Sequence, residues 1–483
     1  MNWLVRQTQI RPDAIAVRFG GAELTWAELG QRTRRVAAAL QIAGMRPGAR
    51  VATLVQNGID YVCLVCAAMG TGTTLIPLNH SLTDVSLSAQ LRDSGTDLLV
   101  LDQSAANRSL ELGHIRFVQI EELTYSVSVD PIALRPDAAA TILYTSGTSG
   151  SAKPVRLTWA NYEASALASA LNLGVHQDDD WLCCLPMYHV GGLAIAMRTL
   201  VYGTRMTLLE KFDEAAVLAA LHDGATLVSL VPTMLVRLAE HVGSVTALAA
   251  ELRDTKLRAV LLGGGPTDPA VIAEGIMAGL PLYQTYGMTE TASQIATVPP
   301  DRAAEKIGSA GYPLWGAEIM IRDEAGSPVD GDAPGIVWVR GPMVSSGYLE
   351  RPAINREVFA GGWFRTGDRG QLDEDGFLWI EGRHDDLIIS GGENVSPHEV
   401  ERVLRAHPQI ADLAVFGVSD SRWGERVSAA IVTRGPVSPE ELDAFSREHL
   451  GPHQRPRSWV VVDEIPRTPT GKVRRQWLRA TYG

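Results

Sequence analysis

The sequence predicts an α/β protein: parallel sheets with crossover helices in the larger N-terminal part, then an antiparallel, barrel-like stretch, then a compact α+β segment. Three observations predict this. Short apolar runs alternate with helical patterns up to about Leu262, the signature of crossover units. From about Gly308 the texture changes to short alternating strands between Gly, Pro and Asp turns. The last ~100 residues repeat strand and helix signals on their own, and 483 residues are too many for one small core.

In chain order, Thr25-Trp-Ala-Glu28 reads as a capping box opening a helix that runs to about Gly44. Arg50–Val55 reads as a strand, Ile59–Met69 as a helix, Thr74–Pro77 as a strand, Leu82–Arg92 as a helix and Asp97–Leu101 as a strand. After Tyr162 the order is helix, strand near Trp181, helix near Leu193, strand near Thr207, helix from Glu214, then strands near Leu227 and at Leu257–Leu262. Glu318–Arg322, Gly335–Arg340 and Gly376–Ile380 are the short strands of the barrel-like region. Ser396-Pro-His-Glu399 and Ser438-Pro-Glu-Glu441 read as capping boxes with Pro at the first helical position. Strands are expected at Ala411–Val418, Arg426–Thr433 and Trp459–Asp463. Gly382-Arg-His-Asp-Asp386 is a polar break between two folded patterns, which places the boundary between a large domain, 1–383, and a small one, 387–483, there.

Lys+Arg total 43 against 55 Asp+Glu, a net charge of −12, which argues against coating nucleic acid or an anionic membrane by bulk charge. Four cysteines are too few for a disulfide framework; Cys63 and Cys66 read as small buried helix residues, and so do Cys183 and Cys184 in their own apolar run. No apolar signal core and no uninterrupted apolar stretch of about 18 residues occurs, so membrane insertion is not expected and a cytoplasmic location is. The oligomeric state stays open, a homodimer included.

Thr145, Ser146, Gly147, Thr148, Ser149, Gly150 and Lys153 follow the buried run Ala138–Tyr144. Small hydroxylated and glycine residues can bring amides and hydroxyls against phosphate oxygens, with Lys153 adding charge. The spacing is not that of a Walker A loop. Tyr144–Lys153 resembles the phosphate loop of the adenylate-forming superfamily of acyl-CoA synthetases, adenylation domains and luciferases. Tyr286-Gly-Met-Thr-Glu290, Phe364-Arg-Thr-Gly-Asp368, Gly382-Arg-His-Asp385 with Gly391-Gly-Glu-Asn394, and Pro469-Thr-Gly-Lys472 resemble its later motifs, in family order and over essentially the whole chain.

The resemblance implies stacked mixed sheets in the large domain and a mobile small domain that rotates about Asp385. It implies ATP, Mg²⁺ and coenzyme A as cofactors and co-substrates: an acid attacks the α-phosphorus of ATP, and a thiol then takes the acyl group. Glu290 is expected to hold Mg²⁺, a hard ion that prefers oxygen. Gln284, Thr285, Tyr286, Gly287, Met288 and Thr289, with Gly264, Gly265 and Pro266, are expected around the nucleotide, Tyr286 stacking on adenine. Asp368 would accept the ribose hydroxyls, with Arg383 also at the nucleotide. Lys472 would stabilise the charge of adenylation, and Gly391, Gly392, Glu393 and Asn394 would serve the thiol step.

Asn172-Leu-Gly, Trp181–Leu193 and Gln284–Ile295 further resemble the o-succinylbenzoate–CoA ligases of menaquinone biosynthesis. Their acid is an aromatic dicarboxylate, so the pocket needs an apolar wall and a second polar or cationic anchor. His189 belongs to the aromatic–histidine motif, and Arg198, Ser293, Gln294 and Gly287 are the candidates around the acid. Arg198 reads equally as an anchor or as a surface arginine. One departure stands out: Ser151-Ala-Lys-Pro154 replaces the Lys-Pro-Lys-Gly of many relatives, which keeps Lys153 in register but puts ordinary loop mobility in doubt. A ligase or stand-alone adenylating enzyme for another aryl or short acyl acid, loading coenzyme A or a carrier protein, stays open. An ATP-binding regulator without catalysis is disfavoured by Lys472, Glu290 and Asp368 all being present.

Overall fold

The structure is a computed structural model that describes residues 2–123, 127–145, 152–329, 331–390, 393–420, 423–468 and 471–483, without the side chains of Asp385, Glu393 and Asn394. It divides into two compact units, Met1–Glu318 with Val339–Phe364, and Ile319–Trp338 with Arg365–Gly483.

The first unit holds two mixed sheets. The nine-stranded sheet is parallel through Ile15–Phe19, Arg205–Leu208, Asp180–Cys183, Leu227–Leu230, Ala259–Leu262 and Leu282–Met288, with antiparallel strands added at both ends. The six-stranded sheet is parallel through Arg116–Gln119, Leu98–Leu101, Arg50–Leu54, Thr74–Pro77 and Ala139–Thr145, and closes on the antiparallel strand Lys153–Thr158. The helix Ile59–Thr71 is buried at every residue but Asp60 and shares one apolar core with strands of both sheets. A helix that is apolar all round belongs in such a core. Cys63 and Cys66 ride on it, and all four cysteines are buried and free. The buried tyrosine hydroxyls are satisfied: Tyr61 shares a hydrogen bond with Thr53 and Tyr162 with Thr141.

The expected elements appear with small shifts at their ends. Helices run over Trp26–Ile42, Ile59–Thr71 and Asp84–Asp93. The Thr25–Glu28 box is formed, and a second one, Thr158 with Asn161, opens the helix Trp159–Leu173. In the second unit Ser438 and Glu441 form their box. Ser396 does not form the expected one: it occupies the N-cap, but its hydroxyl donates to the Glu381 carbonyl oxygen at 2.9 Å. A partner on a neighbouring strand has displaced the local one. The antiparallel region is present, with Trp363–Leu372 pairing Leu378–Arg383. The C-terminal segment is α+β around the long hairpin Ile410–Asp420 and Gly424–Thr433, with Ser458–Val461 added in parallel. Among the described residues, no helix is long and apolar enough to cross a membrane.

Candidate active site

Two of the candidate phosphate-loop residues, Thr145 and Lys153, lie on paired strands. Ala139–Thr145 pairs antiparallel with Lys153–Thr158 so that Thr145 faces Lys153, its hydroxyl 3.5 Å from the Lys153 carbonyl oxygen. Ser146, Gly147, Thr148, Ser149 and Gly150 lie outside the described residues. The Lys153 ammonium stands over the Tyr348 ring, 5.5 Å from its centroid, an arrangement that attracts a cation to the π face. Tyr348 is fixed by a bridge to Val155 and by the Asn355 carboxamide, which accepts from its amide at 2.8 Å. Its hydroxyl donates to Glu290 Oε1 at 2.8 Å. Lys153, Tyr348 and Glu290 therefore form one cluster, and Tyr348 belongs to none of the motifs read from the sequence.

Glu290 sits on the single turn Thr289–Thr291, 8% exposed. After it, Ala292 and Ser293 both adopt positive φ (49° and 90°), which reverses the chain and lays Ser293–Thr297 against Leu282–Met288. Two successive left-handed non-glycine residues are costly and persist only where the surroundings hold them. Ser165 donates to the Ala292 carbonyl at 2.9 Å, and Thr291 to the Ser293 carbonyl at 2.9 Å. Gly287 lies under that reversal: a Cβ there would overlap the Ser293 carbonyl oxygen. The Gln284 and Thr285 side chains are engaged in the scaffold. Gln284 accepts from the Gly308 amide at 2.7 Å, and Thr285 donates to the Ala296 carbonyl at 3.1 Å. Tyr286, Met288 and Thr289 are half-buried, while Gly264, Gly265 and Pro266 are exposed just past the strand Ala259–Leu262.

Among the described residues no three His, Cys, Asp or Glu side chains come together to cage a metal ion. The buried Glu290 carboxylate fits Mg²⁺ instead, an ion that takes one or two protein carboxylates and completes its shell with phosphates and water.

His189 is the N-cap residue of the helix Val190–Tyr202, its ring 4.6 Å from that of Tyr188, which in turn lies 5.7 Å from His80. The turn before it is held by Asn57, whose carboxamide donates to the Leu185 and Leu209 carbonyls and accepts from the Met187 amide at 2.9–3.1 Å. Arg198, two turns further along, is 2% exposed. Its guanidinium lies over the Trp181 ring, 5.2 Å from the centroid, and donates to Ser293 Oγ at 3.3 Å. Burial pulls its pKa below the ordinary arginine value, and Tyr202 acts weakly the other way. Among the described residues, its Nε and, separately, the Gln294 Oε1 are buried without a hydrogen-bond partner. A buried cation with an unserved donor is costly unless a ligand serves it.

The second unit carries the remaining candidates. Asp368 and Arg383 face each other across an antiparallel pair, Oδ1 to Nη1 at 3.2 Å, and Thr366 donates to the Val337 carbonyl and accepts from the Asp368 amide. Asp385 lies in the turn His384–Asp386; Gly391 and Gly392 lie outside the described residues, and Glu393–Val395 is a short strand. Lys472 is exposed.

Residues 4–349 match the AMP-binding enzyme family and residues 399–472 the AMP-binding enzyme C-terminal domain. The chain is 38% identical over 479 residues to a 2-succinylbenzoate–CoA ligase of Bacillus cereus (strain Q1), covering 99% of this chain and 98% of that protein. Among solved structures it is similar to the o-succinylbenzoate CoA synthetase of Bacillus subtilis in complex with the acyl-adenylate intermediate, at a TM-score of 0.92, 37% identity, and coverage of 99% and 98% of the two chains. It is similar to the same enzyme in complex with ATP and magnesium ion, at a TM-score of 0.90, 36% identity, and 99% coverage of both chains.

Proposed function

The chain belongs to the AMP-binding enzyme family, and from that membership we propose that it is an ATP-dependent acid–thiol ligase acting on o-succinylbenzoate in menaquinone biosynthesis. The succinyl carboxylate attacks the α-phosphorus of ATP, releasing pyrophosphate and leaving an acyl-adenylate. The coenzyme A thiol then attacks the acyl carbon, giving the thioester and AMP. A cytoplasmic location fits this reading, since ATP and coenzyme A are its co-substrates.

The observation that carries the substrate assignment is Arg198. A second carboxylate on the acid's ring has to leave water, and a buried cation that meets Ser293, with its Nε unpartnered among the described residues, answers that need. His189 and Gly287 contribute to the acid pocket in this reading. Thr145, Lys153, Gly264–Pro266 and the run Gln284–Thr289 surround ATP, and Asp368 with Arg383 takes the ribose. Glu290 would hold Mg²⁺, which supplies charge neutralisation to the phosphates when bound. Tyr348 orients the Glu290 carboxylate. Lys472 serves adenylation and residues 391–394 serve the thioester step. The large domain is 1–383 and the small one 387–483, with the turn 384–386 as hinge.

A pyrophosphate-release panel tests the reading. o-Succinylbenzoate should be the preferred acid over 4-oxo-4-phenylbutanoate and simple aryl acids, and added coenzyme A should yield its thioester by mass. Preference for the analogue lacking the ring carboxylate would overturn the substrate, and adenylate formation without thioester would overturn the acceptor.

A further inference from the structure

Among the described residues, Lys472 is held through its backbone. The Thr468 amide donates to the Lys472 carbonyl at 2.7 Å, and the Lys472 amide donates to Thr468 Oγ1 at 3.1 Å. Arg467 and Val473 bridge in antiparallel fashion at the foot of the turn. The Gly471 carbonyl, on the peptide that leads into Lys472, accepts from Arg467 Nη1 at 3.1 Å. The lysine side chain projects into solvent.

Arg467 is itself gripped from the sheet. Its Nη2 donates to both carboxylate oxygens of Asp412, at 2.9 and 2.8 Å. Asp412 lies near the start of the strand Ile410–Asp420, and its Oδ1 also accepts from the Leu413 amide at 2.9 Å. One guanidinium thus ties the turn to the central hairpin of its own unit. A planar, multi-donor group does this where an ammonium cannot reach both partners at once.

We infer that Arg467, braced by Asp412, is a positioning residue for Lys472: it fixes the peptide from which the lysine reaches the reacting groups during adenylation. The inference rests on the assignment of Lys472 proposed above. A lysine side chain has four rotatable bonds, so its productive population depends on where its backbone is anchored. Losing the anchor lowers adenylation while leaving chemistry that does not use the lysine untouched.

The test compares Arg467→Ala, Arg467→Lys, Asp412→Asn, Lys472→Ala and the double variant Arg467→Ala/Lys472→Ala. Each is assayed for pyrophosphate release and, separately, for thioester formation from supplied acyl-adenylate, with Tm measured alongside. Arg467→Ala should slow adenylation about ten- to a hundredfold, Asp412→Asn less, and Arg467→Lys should recover only part of the loss. Thioester formation should stay within about twofold, and the double variant should be no slower in adenylation than Lys472→Ala, as expected for groups acting as a unit. Equal loss in both half-reactions, or an additive double variant, would overturn the inference and make Arg467 merely structural. If Arg467→Ala lowers Tm too far to assay, Asp412→Asn carries the same comparison. Full adenylation by Lys472→Ala alone would instead remove the lysine assignment, and this inference with it.

Discussion

The Tyr348 hydroxyl donates to the Glu290 carboxylate at 2.8 Å, while its ring face carries the Lys153 ammonium at 5.5 Å. One side chain thereby links Lys153, proposed for the phosphates, to the carboxylate proposed for Mg²⁺.

Tyr348→Phe keeps the ring face and removes the donor. A hydrogen bond to a charged group contributes about 1.5–3 kcal/mol, so pyrophosphate release should fall about tenfold or more, with a changed Mg²⁺ half-saturation. ATP affinity measured without Mg²⁺ should be unchanged. Wild-type rates at every Mg²⁺ concentration would exclude the orienting role.

Arg198→Ala should lower kcat/KM for o-succinylbenzoate about ten- to a hundredfold, the loss of one charge-assisted contact. It should spare 4-oxo-4-phenylbutanoate, which has no ring carboxylate to anchor. Steady-state kinetics with both acids decide it, and an equal fall for both would make Arg198 a packing residue.

Gly287→Ala and Gly265→Ala separate a close backbone approach from an open pocket wall. A Cβ at Gly287 would collide with the Ser293 carbonyl, whereas the nearest atom to one at Gly265 is a Pro232 side-chain carbon at 3.8 Å. Overpacking against backbone costs about 1–3 kcal/mol or more, so Tm should drop several degrees for Gly287→Ala and hardly for Gly265→Ala. A similar Tm for both would contradict the packing described.

In the second unit Glu401 is 4% exposed and meets Arg475 Nη2 at 2.6 Å, with His398 Nδ1 at 3.2 Å and the Val415 amide at 2.8 Å. Burial raises its pKa, but Arg475, His398 and that amide outweigh burial and hold it at about 2. A carboxylate depressed on folding contributes stability above its unfolded pKa and loses it as pH falls through the folded value. The contribution, on the order of 3 kcal/mol, should therefore fade between about pH 4.5 and 2. In thermal melts the gap between wild type and Glu401→Gln should be widest near neutrality and narrow over that window. A gap independent of pH would show that the pair is not what is titrating.

Much of the scaffold was legible because its signals are local. The Thr25 box, the Ser438 box and the strand Thr74–Pro77 depend on neighbours within a few residues. Ser396 failed for the complementary reason: its hydroxyl found the Glu381 carbonyl on another element. Asn57, which holds the turn before His189, and Tyr348 carry no motif, and their roles exist only through partners distant in sequence.

By itself the sequence determined the order of helices and strands, the loops that bear the phosphate and lysine motifs, and the family resemblance, all patterns read along the chain. Only the tertiary structure decided that Arg198 is buried rather than exposed, and that it meets Ser293, 95 residues later. It likewise brought Tyr348 to Glu290 across 58 residues. The physical reason is that burial and polar pairing belong to the packing of elements against one another, and the same arginine in the same helix is a solvated charge or a desolvated anchor according to what that packing sets against it.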